Sequence, residues 1–268
     1  MGVRPRDDDR RDGLGGDGPR SSGHGADPCQ DPAERSRAAE AIAEGMGRAK
    51  PGEVPGRLCE VAVRLLPVTG ASASLRSDGV PVQLCASGDL AAYLSDIQTT
   101  LGEGPCVEAT ETGRPVLARD LATGPDARRW PVYAQEATAV GVRAVYALPL
   151  GNDSVCVGTL DLYRDTPGTL TGPELHTARL IAAVMTVALM ALPHGEEYDS
   201  QGGAPWLSGL AAEHDEVFQA VGMIMAQLGV GADEALARLR AHAFAHGRTA
   251  HDVARAVVTH RERFERDR

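Results

Sequence analysis

The sequence predicts an α+β domain, a mostly antiparallel sheet with flanking helices, followed by an all-α three-helix unit on a coiled-coil-like helix. Three observations predict it. Two stretches, ASASLR–SDG–VPVQLCAS and VRAVYALPL–GNDS–VCVGTLDLY, are short strand-like runs broken by turn residues, the pattern of β-hairpins. Around them lie stretches whose apolar residues return every three or four positions, the period of amphipathic helices. Beyond Pro205 only the helical period remains, and Leu207, Leu210, His214, Val217, Val221, Ile224 and Leu228 follow one another at alternating steps of three and four, a heptad seam.

The elements follow in order. Residues 1–31 are mostly Asp, Arg, Gly, Pro and Ser, cannot repay the entropy of ordering, and read as a disordered tail. Pro32 opens an Ala-rich helix with Ala38, Ile42 and Met46 on one side. Leu58, Val61, Ala62, Leu65 and Leu66 form the stripe of a second helix. The first hairpin turns at Asp78-Gly79, a pair that tolerates positive φ. A helix spans about Leu90–Leu101, GEGPC breaks it, VEATETG leads into the strand RPVLARDL, and a further helix covers Ala127–Val140. After the second hairpin, Thr171-Gly172-Pro173 starts a closing helix carrying Leu175, Ala178, Ala182, Met185, Leu189 and Leu192, with proline at a favoured first-turn position. The first domain is thus 32–192, a polar Gly-rich linker is 193–205, and the second domain is 206–268. In the latter a helix runs Asp233–His246, with Gly231 at its N-cap, Glu234 in the capping-box position and Gly247 just past its end. Thr249 caps a last helix with Asp252 three residues on.

Composition excludes several function classes. Lys50 is the only lysine, outside any GxxxxGK[ST] context, which argues against a P-loop and against Schiff-base chemistry. No GxSxG, HExxH, GxGxxG or EF-hand loop occurs. The five cysteines are widely spaced without a CxxC, so neither a disulfide framework nor a zinc site is indicated, and no metal ligands are assigned. The longest apolar stretch, Leu180–Pro193, is too short for a membrane span of about 20 residues. With no signal-peptide pattern, the expectation is a cytoplasmic protein with neither a membrane nor a stable protein partner. Net charge is −10, yet residues 236–268 hold eight arginines against four acids. That asymmetry sets a basic C-terminal segment on an acidic body.

In GEGPC, two glycines around one acid before a proline suggest a backbone approaching either a ligand or the sheet. Glu103 and Cys106 are candidates for a sensor pocket; a solvated loop carboxylate and a buried apolar thiol are the alternatives. Together, LGEGPCVEATETGRPVLARDL and VRAVYALPLGNDSVCVGTLDLYR resemble the GAF sensor domains of actinobacterial regulators over about residues 50–192. The resemblance implies a small-molecule pocket over one face of the sheet. No ligand or cofactor is identified by the residues.

FQAVGMIMAQLGVGADEALARLRAHAFAHGRTAHDVARAVVTHRERF resembles the ANTAR domain, the three-helix RNA-binding module of transcription antitermination regulators. The match rests on Ala220-x-Gly222, Glu234-Ala235, Leu239, Ala243 and Val253-Ala254. One departure is Val221, where many members carry lysine. The resemblance implies a homodimer that binds RNA stem-loops to promote antitermination, a regulator rather than an enzyme. Small residues at Ala220, Gly222 and Ala243 would admit RNA close to a helix, with tight helix packing the alternative for the alanines. Arg240, Arg248 and Arg255 would meet phosphates or guanine edges, and Thr249 offers a hydroxyl at a helix N-terminus. His214 would tune or register the seam. Two other readings stay open: a DNA-binding helix-turn-helix factor built on the last two helices, and a thiol redox enzyme of the GAF type.

Overall fold

The computed structural model describes residues 32–47, 49–77, 80–152, 155–191 and 205–265, with side chains for 36–47, 49–50, 52–76, 82–152, 155–191 and 216–265. The expected tail 1–31, the linker 193–204, the turn at Asp78-Gly79 and the side chains of Leu207, Leu210 and His214 lie outside the described residues.

Helices α1 (Pro32–Met46) and α2 (Val54–Leu65) lead into the hairpin β1 (Gly70–Ser77) and β2 (Val80–Ala86). Then come α3 (Asp89–Leu101), α4 (Pro105–Thr112), β3 (Val116–Ala118), α5 (Gly124–Arg129), α6 (Pro131–Ala139), the hairpin β4 (Ala144–Asn152) and β5 (Val155–Arg164), and α7 (Gly172–Met190). The five strands form one antiparallel sheet in the order β2-β1-β5-β4-β3, so the two hairpins meet along β1 and β5.

Strand alternation gives this sheet two different faces. Ala71, Ala73, Tyr146, Leu148, Leu150, Leu160 and Leu162 bury an apolar face under α2 and α7, against Leu58, Val61, Ile181 and Met185. The opposite face packs Val116, Val145, Ala147 and Tyr163 against Leu94 of α3, Ala109 of α4, and Tyr133 and Ala137 of α6. Its centre is polar: Ser72, Ser74, Thr159 and Asp161 are all buried there. A buried polar patch needs partners supplied from above, and α3, α4 and α6 supply them.

Two local differences from the sequence expectation have clear causes. PCVEATET is the helix α4, because Pro105 supplies a preset φ at the start and Gly113 closes the end at φ 64°. The expected helix over 127–140 is two helices. Pro131 forces Trp130 out of helical geometry, to φ −133° and ψ 73°.

The C-terminal unit is α8 (Pro205–Leu228), α9 (Ala232–Ala245) and α10 (Ala250–Val258). Gly247, at φ 61°, ends α9. Thr249 and Asp252 close a capping box on α10, Thr249 Oγ1 accepting the Asp252 N–H at 3.1 Å. Gly231 has no side chain with which to complete the expected box with Glu234, and α9 starts without a side-chain cap.

The heptad reading of α8 is corrected over its second half. Val221, Ile224 and Leu228 are buried against Leu239, Val253 and Val257 of the same chain, so they build an intrachain three-helix core and offer no seam to a second copy. Leu239→Ala should destabilise this unit by about 2–5 kcal/mol in chemical denaturation. A transition unmoved by that change would contradict the packing described.

Candidate functional site

Each residue of the GEGPC segment has a structural role. Gly102, at φ 68°, ends α3 by donating its N–H to Gln98 O at 2.9 Å. Glu103 Oε1 accepts the Val132 and Tyr133 N–H groups at 3.0 and 2.9 Å, satisfying two orphan donors at the start of α6. Glu103 is therefore a helix cap, which corrects its expected place in a sensor pocket. Gly104 sits at φ 132°, and a Cβ there would lie 2.6 Å from Gln98 Oε1, so no larger residue fits. Gln98 Oε1 in turn accepts the Cys106 N–H at 2.8 Å.

Cys106 is wholly buried, with Sγ 3.1 Å from Thr159 Oγ1. Burial, with Asp161 nearby, pushes its thiol well above the ordinary range, the opposite of what a thiolate nucleophile needs. Cys59 Sγ lies 3.6 Å from Cys85 Sγ, and that contact together with burial raises the Cys59 thiol as well.

Cys106 borders a polar centre that the sequence did not reveal. Asp161, on the middle strand β5, is completely buried, and no group meets hydrogen-bonding geometry with either carboxylate oxygen. Gln98 Nε2 from α3 and the Tyr133 hydroxyl from α6 are also buried without partners. Burial raises the Asp161 carboxyl to about 7, although Cys106, Thr159 and Gln98 favour its charged form. Nearby, Ser72 Oγ meets the Tyr163 hydroxyl at 2.9 Å and Ser74 Oγ meets Ser95 Oγ at 3.1 Å. Gln98 therefore lies close enough to act on the Asp161 carboxyl, yet an acceptor, a donor and a hydroxyl on three different elements fall short of well-formed hydrogen bonds. Such a set suits a small group bearing both hydrogen-bond donors and acceptors.

On the C-terminal unit, Ala220 and Ala243 are fully buried in the three-helix core, which corrects the expectation that they admit RNA to a helix. Gly222 is exposed with open space around it. Arg248 donates to Glu262 Oε2 at 2.7 Å and to Asp252 O at 2.8 Å; His242 also bonds Glu262 and stacks on His246. Burial opposes ionisation of Glu262, but these bonds carry its carboxyl below the usual range. Arg255 is exposed and pairs with Glu216 at 3.2 Å.

Arg240 is set apart. It reaches away from its own unit and lies over the end of α3, where a Cβ on Gly102 would come within 2.7 Å of Nη1. Its Nε is buried without a partner, and desolvation lowers its pKa. Alongside, Thr100 Oγ1 of α3 accepts the Ala250 N–H of α10 at 3.0 Å. A cavity of about 190 Å³ lies between the two units, lined by Asp96, Thr99 and Thr100 on one side and Arg240, Thr249 and His251 on the other.

Among the described residues no single helix is long and apolar enough to cross a membrane, and no cluster of three metal-ligating side chains occurs. A GAF domain family model matches residues 51–190, and an ANTAR domain model matches residues 207–258. No curated protein matches the chain. Similar solved structures include the free methionine-R-sulfoxide reductase of Neisseria meningitidis in complex with its substrate, at 16% identity over 60% of this chain and 92% of that one, with TM-score 0.45. The GAF domain of an Acinetobacter phosphoenolpyruvate-protein phosphotransferase matches at 9% identity over 60% and 95%, with TM-score 0.48. The reduced fRMsr of Staphylococcus aureus matches at 11% identity over 58% and 94%, with TM-score 0.44.

The raised carboxyl of Asp161 fixes a sign. Its folded pKa of about 7 lies above the ordinary 3.8, so the folded state holds an extra proton between those values. Stability should therefore fall as pH rises from about 4 to about 7, by an amount on the order of 4 kcal/mol from this group alone. Asp161→Asn should remove that component, as urea denaturation across the range will read. An unchanged pH profile in the variant would place the ionisation elsewhere.

Proposed function

The chain belongs to the GAF domain family and carries an ANTAR domain after it, and from that premise we propose that it is a signal-responsive RNA-binding regulator. In this reading the C-terminal helices bind stem-loop RNA and promote transcription antitermination. The sensor domain takes a small molecule at the Asp161, Gln98 and Tyr133 centre.

The observation that carries the reading is the ANTAR match over 207–258, falling on a three-helix unit with its own core. The charge distribution supports it, since eight arginines against four acids from residue 236 onward stand out on a chain of net charge −10. Gly222, Arg248, Thr249 and Arg255 belong to the proposed RNA surface, Arg248 and Thr249 also serving the fold of α10. Recognition would use loops with unpaired bases, because a side chain cannot read the narrow major groove of an A-form duplex. The sensor ligand would carry a donor-rich, cationic end for the Asp161 carboxylate and an acceptor for Gln98 Nε2 and Tyr133. Pairing of two copies belongs to the same proposal and would run through the first half of α8, because the second half is spent on the intrachain core.

Gel-shift titrations with an RNA stem-loop and an equal length of duplex DNA, at two salt concentrations, test the reading. The stem-loop should bind more tightly at both; preference for duplex DNA would favour a helix-turn-helix factor instead. Arg255→Gln should weaken RNA binding and reduce its salt slope by about one. An unaltered slope would remove Arg255 from the phosphate contacts.

A further inference from the structure

Helix α3 faces two ways. Toward the sheet it carries Leu94, Ser95 and Gln98, the last bonded to Cys106 beside Asp161. Toward the C-terminal unit it carries Asp96, Thr99 and Thr100 and ends at Gly102. Both α9 and α10 pack against it.

The contact is chemically complementary. The last turn of α3 holds no basic residue, so the negative end of its dipole is uncompensated by its own sequence. Arg240 of α9 lies over that end, at Gly102. The positive end of α10 meets the Thr100 hydroxyl oxygen, which accepts the Ala250 N–H. Helix α3 thus presents oxygen acceptors and partial negative charge to an arginine and a helix N-terminus. Those are the groups to which a ribose-phosphate backbone would present its own oxygens.

The fit is imperfect. A cavity of about 190 Å³ remains in the contact, and Arg240 Nε and Gln83 Oε1 near it are buried without partners. A desolvated guanidinium with an unspent donor is costly to hold, so the contact is one that a better acceptor can displace.

We propose that the surface of α9 and α10 centred on Arg240, Thr249 and His251 is an RNA-phosphate surface, and that α3 occupies it as an internal competitor, so that the described arrangement is the closed state. This rests on the RNA-binding reading given above. Because α3 also carries Gln98, a ligand that engages Gln98 and Asp161 acts on the helix from which the C-terminal unit must part for RNA to bind.

The test uses the full chain and the RNA stem-loop that the wild type binds most tightly from a pool with randomised loops. Thr100→Phe removes the acceptor for Ala250 and overfills the contact without adding charge. It should bind this RNA about tenfold more tightly or better, with an unchanged salt slope. Unchanged or weaker binding by the folded variant overturns the closed state. Hydrogen exchange on the wild type gives an independent reading: saturating RNA should speed exchange across α3, and α3 protection unchanged by bound RNA overturns the proposal even if Thr100→Phe does not fold. If no member of the pool binds either protein, the RNA-binding reading itself fails and the closed state falls with it.

Discussion

The structure depends on one helix, α3, being held by hydrogen bonds on two opposite sides. Inward, Gln98 accepts the Cys106 N–H and so fixes α4 against the sheet. Outward, Thr100 accepts the Ala250 N–H and so fixes α10. The glycines that follow make both possible. Gly102 lets α3 stop where Arg240 can lie over it, and Gly104 leaves room for the Gln98 side chain. A single short segment therefore sets the geometry of the buried polar centre and of the contact between the two units.

The two sheet faces differ in what they bury. The face under α2 and α7 is apolar throughout and supplies hydrophobic burial. The face under α3, α4 and α6 gives up some of that burial to hold Asp161, Thr159, Ser72 and Ser74 out of water. Unpartnered polar atoms in such a place are destabilising. Among the described residues the apolar face leaves no buried polar atom to satisfy, which is why the proposed ligand is placed at the other one.

Much of this was legible in the sequence, and the failures have physical causes. The hairpins, the closing helix and the Thr249–Asp252 box were readable because alternation, helical period and capping are local properties. Glu103 was not, since its partners are N–H groups about thirty residues away, and nothing local marks a carboxylate as a cap for a distant helix. Asp161 was hidden for a related reason. In TLDLYR it alternates with leucines and reads as a solvent-facing position, and only the second helical layer makes that face dry. Val221, Ile224 and Leu228 show a third kind of limit, because a three-four spacing is the same for a coiled-coil seam and for a helix packed on two short neighbours. The arginines read as one basic surface, yet Arg248 and Arg255 are tied to Glu262 and Glu216, and Arg240 to the other domain.

The central claim is that α3 and the C-terminal helices are in contact without RNA and apart with it. Its most direct measurement is the distance between nitroxide labels placed at Asp89 on α3 and at Gln219 on α8, read by pulsed electron resonance in the full chain. The account predicts one narrow distance for the free protein and a longer, broader distribution at saturating stem-loop RNA. The same narrow distance in both states would contradict it.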